Sequence, residues 1–241
     1  MPSNILSYIL YSSREIKRKE QVKKIQEIFP SSTIIDPIFP EYQKVPFLKK
    51  IIQKSKDYTG KALLTNEVGV FLSHRKVWQA ISKSINKKQH YLVLESDSKI
   101  VNAKIIKNNY SKVEQEYDLF FWGAWNNHVS IKKSSRKPIS DNYIIGEPLI
   151  KSLYGAYGYS LNAETAQYLL SITKKIYFPV DLYKQYIDET KIKIGAIKSE
   201  VIGTWQTTDS NIRKENQFDK FKRILIIKIF HTRNQILAYF C

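Results

Sequence analysis

The segment NILSYILYSSREIKRKEQVKKIQEIFPSSTII, residues 4–35, sets a strand, a helix and a second strand in direct succession. Residues 4–10 are a short apolar run of strand length. Ser12 and Ser13 follow, and either has the side chain to cap a helix. Ile16, Val22, Ile25, Ile28 and Phe29 then recur at helical spacing with Lys and Glu between them, and Pro30 stops the run. Residues 33–35 are again β-type. This order predicts an α/β layer architecture with parallel strands.

The rest of the chain extends the pattern. Helices are expected over 46–54 and 66–85, the second carrying Val70, Val77, Ile81 and Ile85 on one stripe. Gly69 inside it marks close approach of another backbone or of a ligand. Residues 91–95 and 118–122 read as buried strands, and 153–160 as another. Asn162 is placed to cap a helix running to Ile172, and Pro179 to open a short helix through Asp188. Strands follow near 192–197 and 201–205. The basic stretch 131–138 has no periodicity and reads as an exposed loop. A basic amphipathic helix over about 216–230 carries Phe218, Phe221, Leu225 and Ile229, which suits either an anionic bilayer or packing on the domain. The expected division is a main domain over 1–213 and a C-terminal helix over 214–241.

The chain has 241 residues, enough for one domain with a real core. With 43% hydrophobic residues, 8 Gly and 8 Pro, disordered and fibrous classes are excluded. The single cysteine, Cys241, removes a disulfide framework and a cysteine zinc site, and fits a reducing compartment. Basic residues number 39 against 22 acidic, a net charge of +17, yet 7 of the 39 are Arg, the residue suited to bidentate phosphate and base-edge recognition. A polyanionic partner and an AT-rich coding bias explain such a lysine excess equally well. Residues 1–12 lack a basic leader and a small-residue cleavage site, and no apolar run nears the roughly 20 residues of a membrane span. The expectation is a cytoplasmic protein, at most peripheral on an inner membrane.

Four constellations carry candidate chemistry. Glu95-Ser96-Asp97 ends a buried strand, so two carboxylates at i and i+2 reach the loop edge where ligands of open α/β sheets bind. Such a pair suits one hard cation or a solvated acidic turn. Residues 63–78, LLTNEVGVFLSHRKVW, put Glu67, Ser73 and His74 on one helix, where His74 either binds a phosphate, orients a carboxylate or is structural. Gly155 and Gly158 alternate with Tyr154, Tyr157 and Tyr159, which suits sugar faces or packed strands. Phe178-Pro179-Val180-Asp181 sets a carboxylate at a helix start, where it either caps or reacts.

Taken in order, these blocks resemble glycosyltransferase family 25, the bacterial lipopolysaccharide and lipooligosaccharide sugar transferases related to collagen galactosyltransferases. Residues 64–74, LTNEVGVFLSH, look like the family's L-T-x-G-E-x-G-C-x-L-S-H, and Leu94-Glu95-Ser96-Asp97 is similar to its L-E-D-D. Residues 155–170 resemble its glycine–alanine–tyrosine strand and helix, and Pro179-Val180-Asp181 its P-[IV]-D; residues 206–212, QTTDSNI, are the faintest match. Val70 stands where the family has Cys, and Ser96 where it has the middle acid.

The resemblance implies a GT-A-like nucleotide-sugar-binding fold with a central, mostly parallel sheet flanked by helices. It implies transfer of a sugar, typically galactose, from a UDP-sugar donor to an oligosaccharide or lipid-linked acceptor, with inversion. Glu95 and Asp97 would hold Mn²⁺ or Mg²⁺, Asp181 would be the base, and Asp188, Glu189 and Asp209 are alternatives. Glu67, Ser73, His74, Gly155 and Tyr157 would bind the donor or brace the metal loop, and Trp122, Trp125 and Tyr157 would form a sugar platform. Two rivals differ in class: a nucleic-acid-binding protein, on charge alone, and a transferase degenerated to a binding protein through Ser96. No nucleic-acid module is recognisable, so nucleic acid is not an expected partner.

Overall fold

Strand β1 (Ser7–Leu10) forms where a short apolar run is paired on both sides, in parallel, with β2 (Ser32–Ile35) and β3 (Tyr91–Glu95). The computed structural model describes residues 4–124, 127–205 and 230–240. Between β1 and β2 runs α1 (Lys19–Ile28), preceded by a single 3-10 turn at Ile16–Arg18. Neither Ser12 nor Ser13 caps it; instead the Ser12 amide donates to Glu15 Oε2 at 3.1 Å. The α/β order expected from residues 4–35 is thus present.

Ahead of the C-terminal segment the further α-helices are α2 (Leu48–Thr59), α3 (Thr65–Ser82), α4 (Ala103–Glu116) and α5 (Ala163–Ile172). The remaining strands are β4 (Ser98–Ile100), β5 (Leu119–Phe121), β6 (Lys137–Ser140), β7 (Tyr143–Gly146), β8 (Gly158–Leu161), β9 (Ile194–Lys198) and β10 (Ile202–Thr204). Eight strands make one sheet in the order β2-β1-β3-β8-β5-β9-β7-β6, and β4 with β10 make a small ribbon. Pairings β1–β2, β1–β3 and β5–β9 are parallel, whereas β8 runs antiparallel between β3 and β5. β3 and β5 therefore point the same way, and their carboxyl ends share one edge.

Both faces of the sheet are covered, which is why its central strands read as unbroken apolar runs. Because successive side chains alternate across a strand, Val93, Leu119 and Phe121 meet Phe71 and Trp78 of α3, together with α5. Leu92, Leu94, Phe120 and Trp122 meet Val22 and Ile25 of α1 and Tyr110 and Val113 of α4. Gly69 lets α3 lie against the 36–40 loop: a Cβ there would stand 2.7 Å from the Ile38 carbonyl oxygen. Asn162 caps α5 by accepting the Thr165 amide at 2.9 Å.

Two expectations need correction. Residues 131–138 are not a free basic loop. Ile131 is buried, Arg136 donates to the Ile131 carbonyl, and Lys132 and Lys137 pair with Glu147 and Glu116. Its tail is the edge strand β6, where Pro138 is tolerated because an edge leaves one side of the ladder unused. Trp122 is not a sugar platform: it is fully buried, stacks on Tyr110 at 5.7 Å, and donates to Ser160 Oγ at 3.0 Å. The expected amphipathic stretch 216–230 and Trp125 lie essentially outside the described residues. Residues 230–240 are helical, with Asn234 and Ala238 buried and Ile236 and Phe240 exposed. No helix among the described residues is long and apolar enough to cross a membrane.

Candidate active site

The shared carboxyl edge gathers most of the singled-out residues. Glu95 is the last residue of β3, and the chain turns through Ser96 and Asp97 into β4. The turn is fixed from below: the Glu95 amide donates to Ser98 Oγ at 2.9 Å, and Ser98 Oγ donates to the Tyr157 carbonyl. It is fixed from above as well, since the Trp205 amide donates to the Asp97 carbonyl at 3.0 Å.

A buried relay sets Glu95. Trp78 Nε1 donates to Tyr159 Oη at 2.9 Å, His74 Nδ1 lies 2.8 Å from the same hydroxyl, and His74 Nε2 lies 3.0 Å from Glu95 Oε1. The indole N–H can only donate. A tautomer with its proton on Nε2 then satisfies every group: Tyr159 donates to Nδ1, and Nε2–H donates to the carboxylate. His74 and Tyr159 are buried, while the Glu95 side chain is 27% exposed, so the relay ends at an accessible oxygen pair.

Asp97 is held from the first loop. Arg18 Nη1 donates to Ser96 Oγ at 2.6 Å and to Glu15 Oε1 at 2.8 Å, and Ser96 Oγ donates to Glu15 Oε1 at 2.9 Å. Arg18 Nη2 stops 3.7 Å short of Asp97 Oδ2. Burial, and next the neighbouring Glu95 charge, push the Asp97 carboxyl up to about 7 against the opposing pull of Arg18. Its Oδ1 is buried with no hydrogen-bond partner among the described residues. A carboxylate pair with an orphan oxygen fits a hard divalent cation. No group of three or more His, Cys, Asp or Glu gathers for one among the described residues, so ligand oxygens would complete its shell, as is usual for Mg²⁺ beside phosphates.

The loops around this edge are packed through glycine. A Cβ on Gly123 would lie 1.7 Å from the Ile202 carbonyl oxygen, so only glycine lets residues 199–205 cross the sheet end to reach Asp97. Gly155 takes φ 86°, and its carbonyl accepts Tyr183 Oη at 3.4 Å. Asp181 sits in the turn closed by the Leu182 amide on the Pro179 carbonyl at 3.2 Å. The following 3-10 turn, Tyr183–Gln185, begins at Leu182 with no side-chain cap. Burial first, then Tyr186, Tyr159, Asp181 and Glu95, raise the Tyr183 hydroxyl. Asp181 and Glu95 are thus both among the charges in the surroundings of this one buried phenol.

Other expected site residues have different surroundings. Glu67 Oε2 accepts the Leu64 amide at 2.8 Å at the start of α3. Ser73 is buried, accepting the Ile38 amide and donating to the Gly69 carbonyl, both at 2.8 Å, which supports bracing of the 36–40 loop. Tyr157 is buried and its hydroxyl donates to Glu200 at 3.2 Å. Asp188 accepts from the Thr190 amide and hydroxyl, and Glu189 lies 3.9 Å from Lys132. Residues 206–212, with Asp209, lie outside the described residues.

Sequence reading missed Glu15, Arg18, Tyr159 as the relay's centre, and Glu200. Glu200 is buried, its carboxyl raised by burial, and it binds the Asn127 amide and the Tyr157 hydroxyl, joining three loops. These contacts join residues 21 to 85 positions apart, and no local motif announces them.

A family model described as glycosyltransferase family 25 (LPS biosynthesis protein) matches residues 8–184, more than half of the chain and the stretch that includes Glu15, His74, Glu95, Asp97 and Asp181. No curated protein matches it.

Proposed function

The chain belongs to glycosyltransferase family 25 of lipopolysaccharide biosynthesis, and from that premise we propose that it transfers galactose from UDP-galactose to a saccharide acceptor of a surface glycolipid, inverting the anomeric centre. Membership itself makes it a glycosyltransferase with a nucleotide-sugar donor and a saccharide acceptor, on the GT-A-like mixed sheet described above. The observation that carries the finer reading is the Glu95–Asp97 pair at the carboxyl edge of β3, with Asp97 Oδ1 unpartnered among the described residues.

In this reading Glu95 and Asp97 hold Mn²⁺ or Mg²⁺. Such a cation supplies neutralisation of the charge that grows on the departing diphosphate. His74 fixes the Glu95 carboxylate through Nε2–H, and Tyr159 and Trp78 fix His74. Arg18 and Glu15 hold the Ser96 corner, so a carboxylate stands beside Ser96 although the residue itself carries none. This arrangement supports an active transferase over a degenerate one. Asp181 takes the proton of the acceptor hydroxyl as that oxygen bonds to the anomeric carbon. The bond from that carbon to the diphosphate oxygen breaks, and its electron pair leaves with UDP.

The reading keeps residues 1–213 as the transferase domain and 214–241 as a C-terminal helix that touches an anionic membrane surface. Exposed Ile236 and Phe240 beside Arg233 support that contact, and removing 214–241 should weaken binding to anionic liposomes. The test of the chemistry is UDP release from UDP-galactose with a truncated lipooligosaccharide acceptor. Asp181→Asn should lower kcat by about 10²–10⁴-fold with UDP affinity intact. Undiminished turnover in that variant, or no transfer from any UDP-hexose by the folded protein, overturns the reading.

A further inference from the structure

A concavity lies beside the Asp181 turn, a cavity of about 370 Å³ between the end of α2, the start of α3 and the chain after α5. Its size suits a small ligand. Because β8 is antiparallel to β3, α5 starts at the amino end of β3 and finishes at the end that carries Glu95. The cavity, lined by the residues that follow α5, therefore lies at the same end of the sheet as the proposed reaction. Phe178 and Gln185, which line it, bracket Asp181 in the chain, and Tyr186 Oη donates to the Val180 carbonyl to hold the turn against the wall.

Its chemistry is specific. Tyr58 is 66% exposed and stacks on Tyr177 at 4.3 Å and 17°, with Phe178 edge-on at 6.0 Å, so a cluster of aromatic rings forms part of the lining. The C–H face of a pyranose is apolar enough to lie on such rings. Lys174 and Lys175 stand exposed on the rim, and neither meets a carboxylate among the described residues. The frame is rigid: Ser55 Oγ donates to the Tyr177 carbonyl at 2.8 Å, and Arg75 Nη1 to the Thr173 carbonyl at 2.8 Å.

We propose that this cavity is the acceptor subsite and takes a saccharide bearing an acidic group, its ring against the Tyr58–Tyr177 stack and its anion between Lys174 and Lys175. The assignment rests on the transferase reading, since it makes Asp181 the link between acceptor and donor. The test is a two-dimensional NMR titration of the full chain with methyl glucuronide, glucose 6-phosphate and methyl glucoside, and separately with UDP and Mg²⁺. Saturable shifts of amides 171–178 are expected with both acidic sugars, about fivefold weaker with the neutral one. A response to one acidic sugar alone identifies carboxylate or phosphate as the preferred anion and still supports the site. Tyr58→Ala should abolish the shifts, and the Lys174→Ala/Lys175→Ala double variant should bring the acidic sugars down to the neutral level. Silence at 171–178 with all three sugars, or equal binding of the neutral sugar with no effect of the lysine variants, overturns the proposal. If UDP still shifts the β3 edge in that case, the acceptor assignment alone fails. If UDP is silent while the acidic sugars bind, the saccharide site stands and the donor reading fails.

Discussion

Replacing His74 with Phe removes the middle of the relay while keeping a ring in its place. Two contacts disappear, Tyr159 Oη at 2.8 Å from Nδ1 and Glu95 Oε1 at 3.0 Å from Nε2. The bond to the carboxylate is charge-assisted and is worth about 1.5–3 kcal/mol. The Tyr159 hydroxyl, fully buried, keeps the Trp78 donor but loses its acceptor, a further cost of about 1–3 kcal/mol. With partial relaxation, His74→Phe should lose about 3 kcal/mol in urea unfolding. Tyr159→Phe should lose about 2 kcal/mol, because Trp78 Nε1–H and His74 Nδ1 are both left unpaired. In the double variant one penalty is no longer paid twice, so its loss should fall short of the sum by at least about 1 kcal/mol. UDP affinity in Mn²⁺ should drop about tenfold in His74→Phe, the usual effect of removing a partner that orients a ligating carboxylate. Strict additivity within about 0.5 kcal/mol, or unchanged metal-dependent affinity, would refute the relay as the device that orients Glu95.

Two further outcomes follow from the geometry. His90 is buried and its pKa is lowered to about 4, chiefly by burial, against about 6.5 when unfolded. Its unfolded state binds the extra proton between those values, so its contribution to stability is intact above pH 6.5 and falls away as pH drops toward 4, by about 3 kcal/mol in all. Wild type should lose that much more stability than His90→Gln across this window in urea melts, and equal pH slopes would discount it. Gly123→Ala should destabilise by more than about 3 kcal/mol, because its methyl would meet the Ile202 carbonyl oxygen at 1.7 Å; a variant with a wild-type thermal midpoint would contradict the crossing of residues 199–205.

Much of the fold was legible because burial writes itself into sequence. Strand β3 matches its expected bounds, since Leu92, Val93 and Leu94 are buried on alternating faces and flanked by polar residues. Helix α5 was equally plain through the Asn162 cap. Helix α4 was missed: its buried stripe is three residues wide, Ile106, Tyr110 and Val113, inside a run of Lys and Asn. The β6–β7 hairpin was missed because its strands are four residues long and lie at an edge, where half the positions face solvent. At the site, motifs brought forward Glu95, Asp97, His74 and Asp181, residues whose chemistry is local. The partners that orient them, Tyr159, Arg18 and Glu15, come from other elements, and only folding brings them together. Trp122 misled because an aromatic at a strand end has the same composition whether it stacks on a sugar or, as here, on Tyr110.

The central claim is a nucleotide–metal site built on Glu95 and Asp97. Calorimetric titration of UDP in Mn²⁺ and then in EDTA, on wild type and Asp97→Ala, tests it most directly. The account predicts binding that requires the metal and weakens at least about tenfold in the variant. UDP binding that is indifferent to EDTA and to Asp97→Ala, or no UDP binding by the folded wild type, would contradict it.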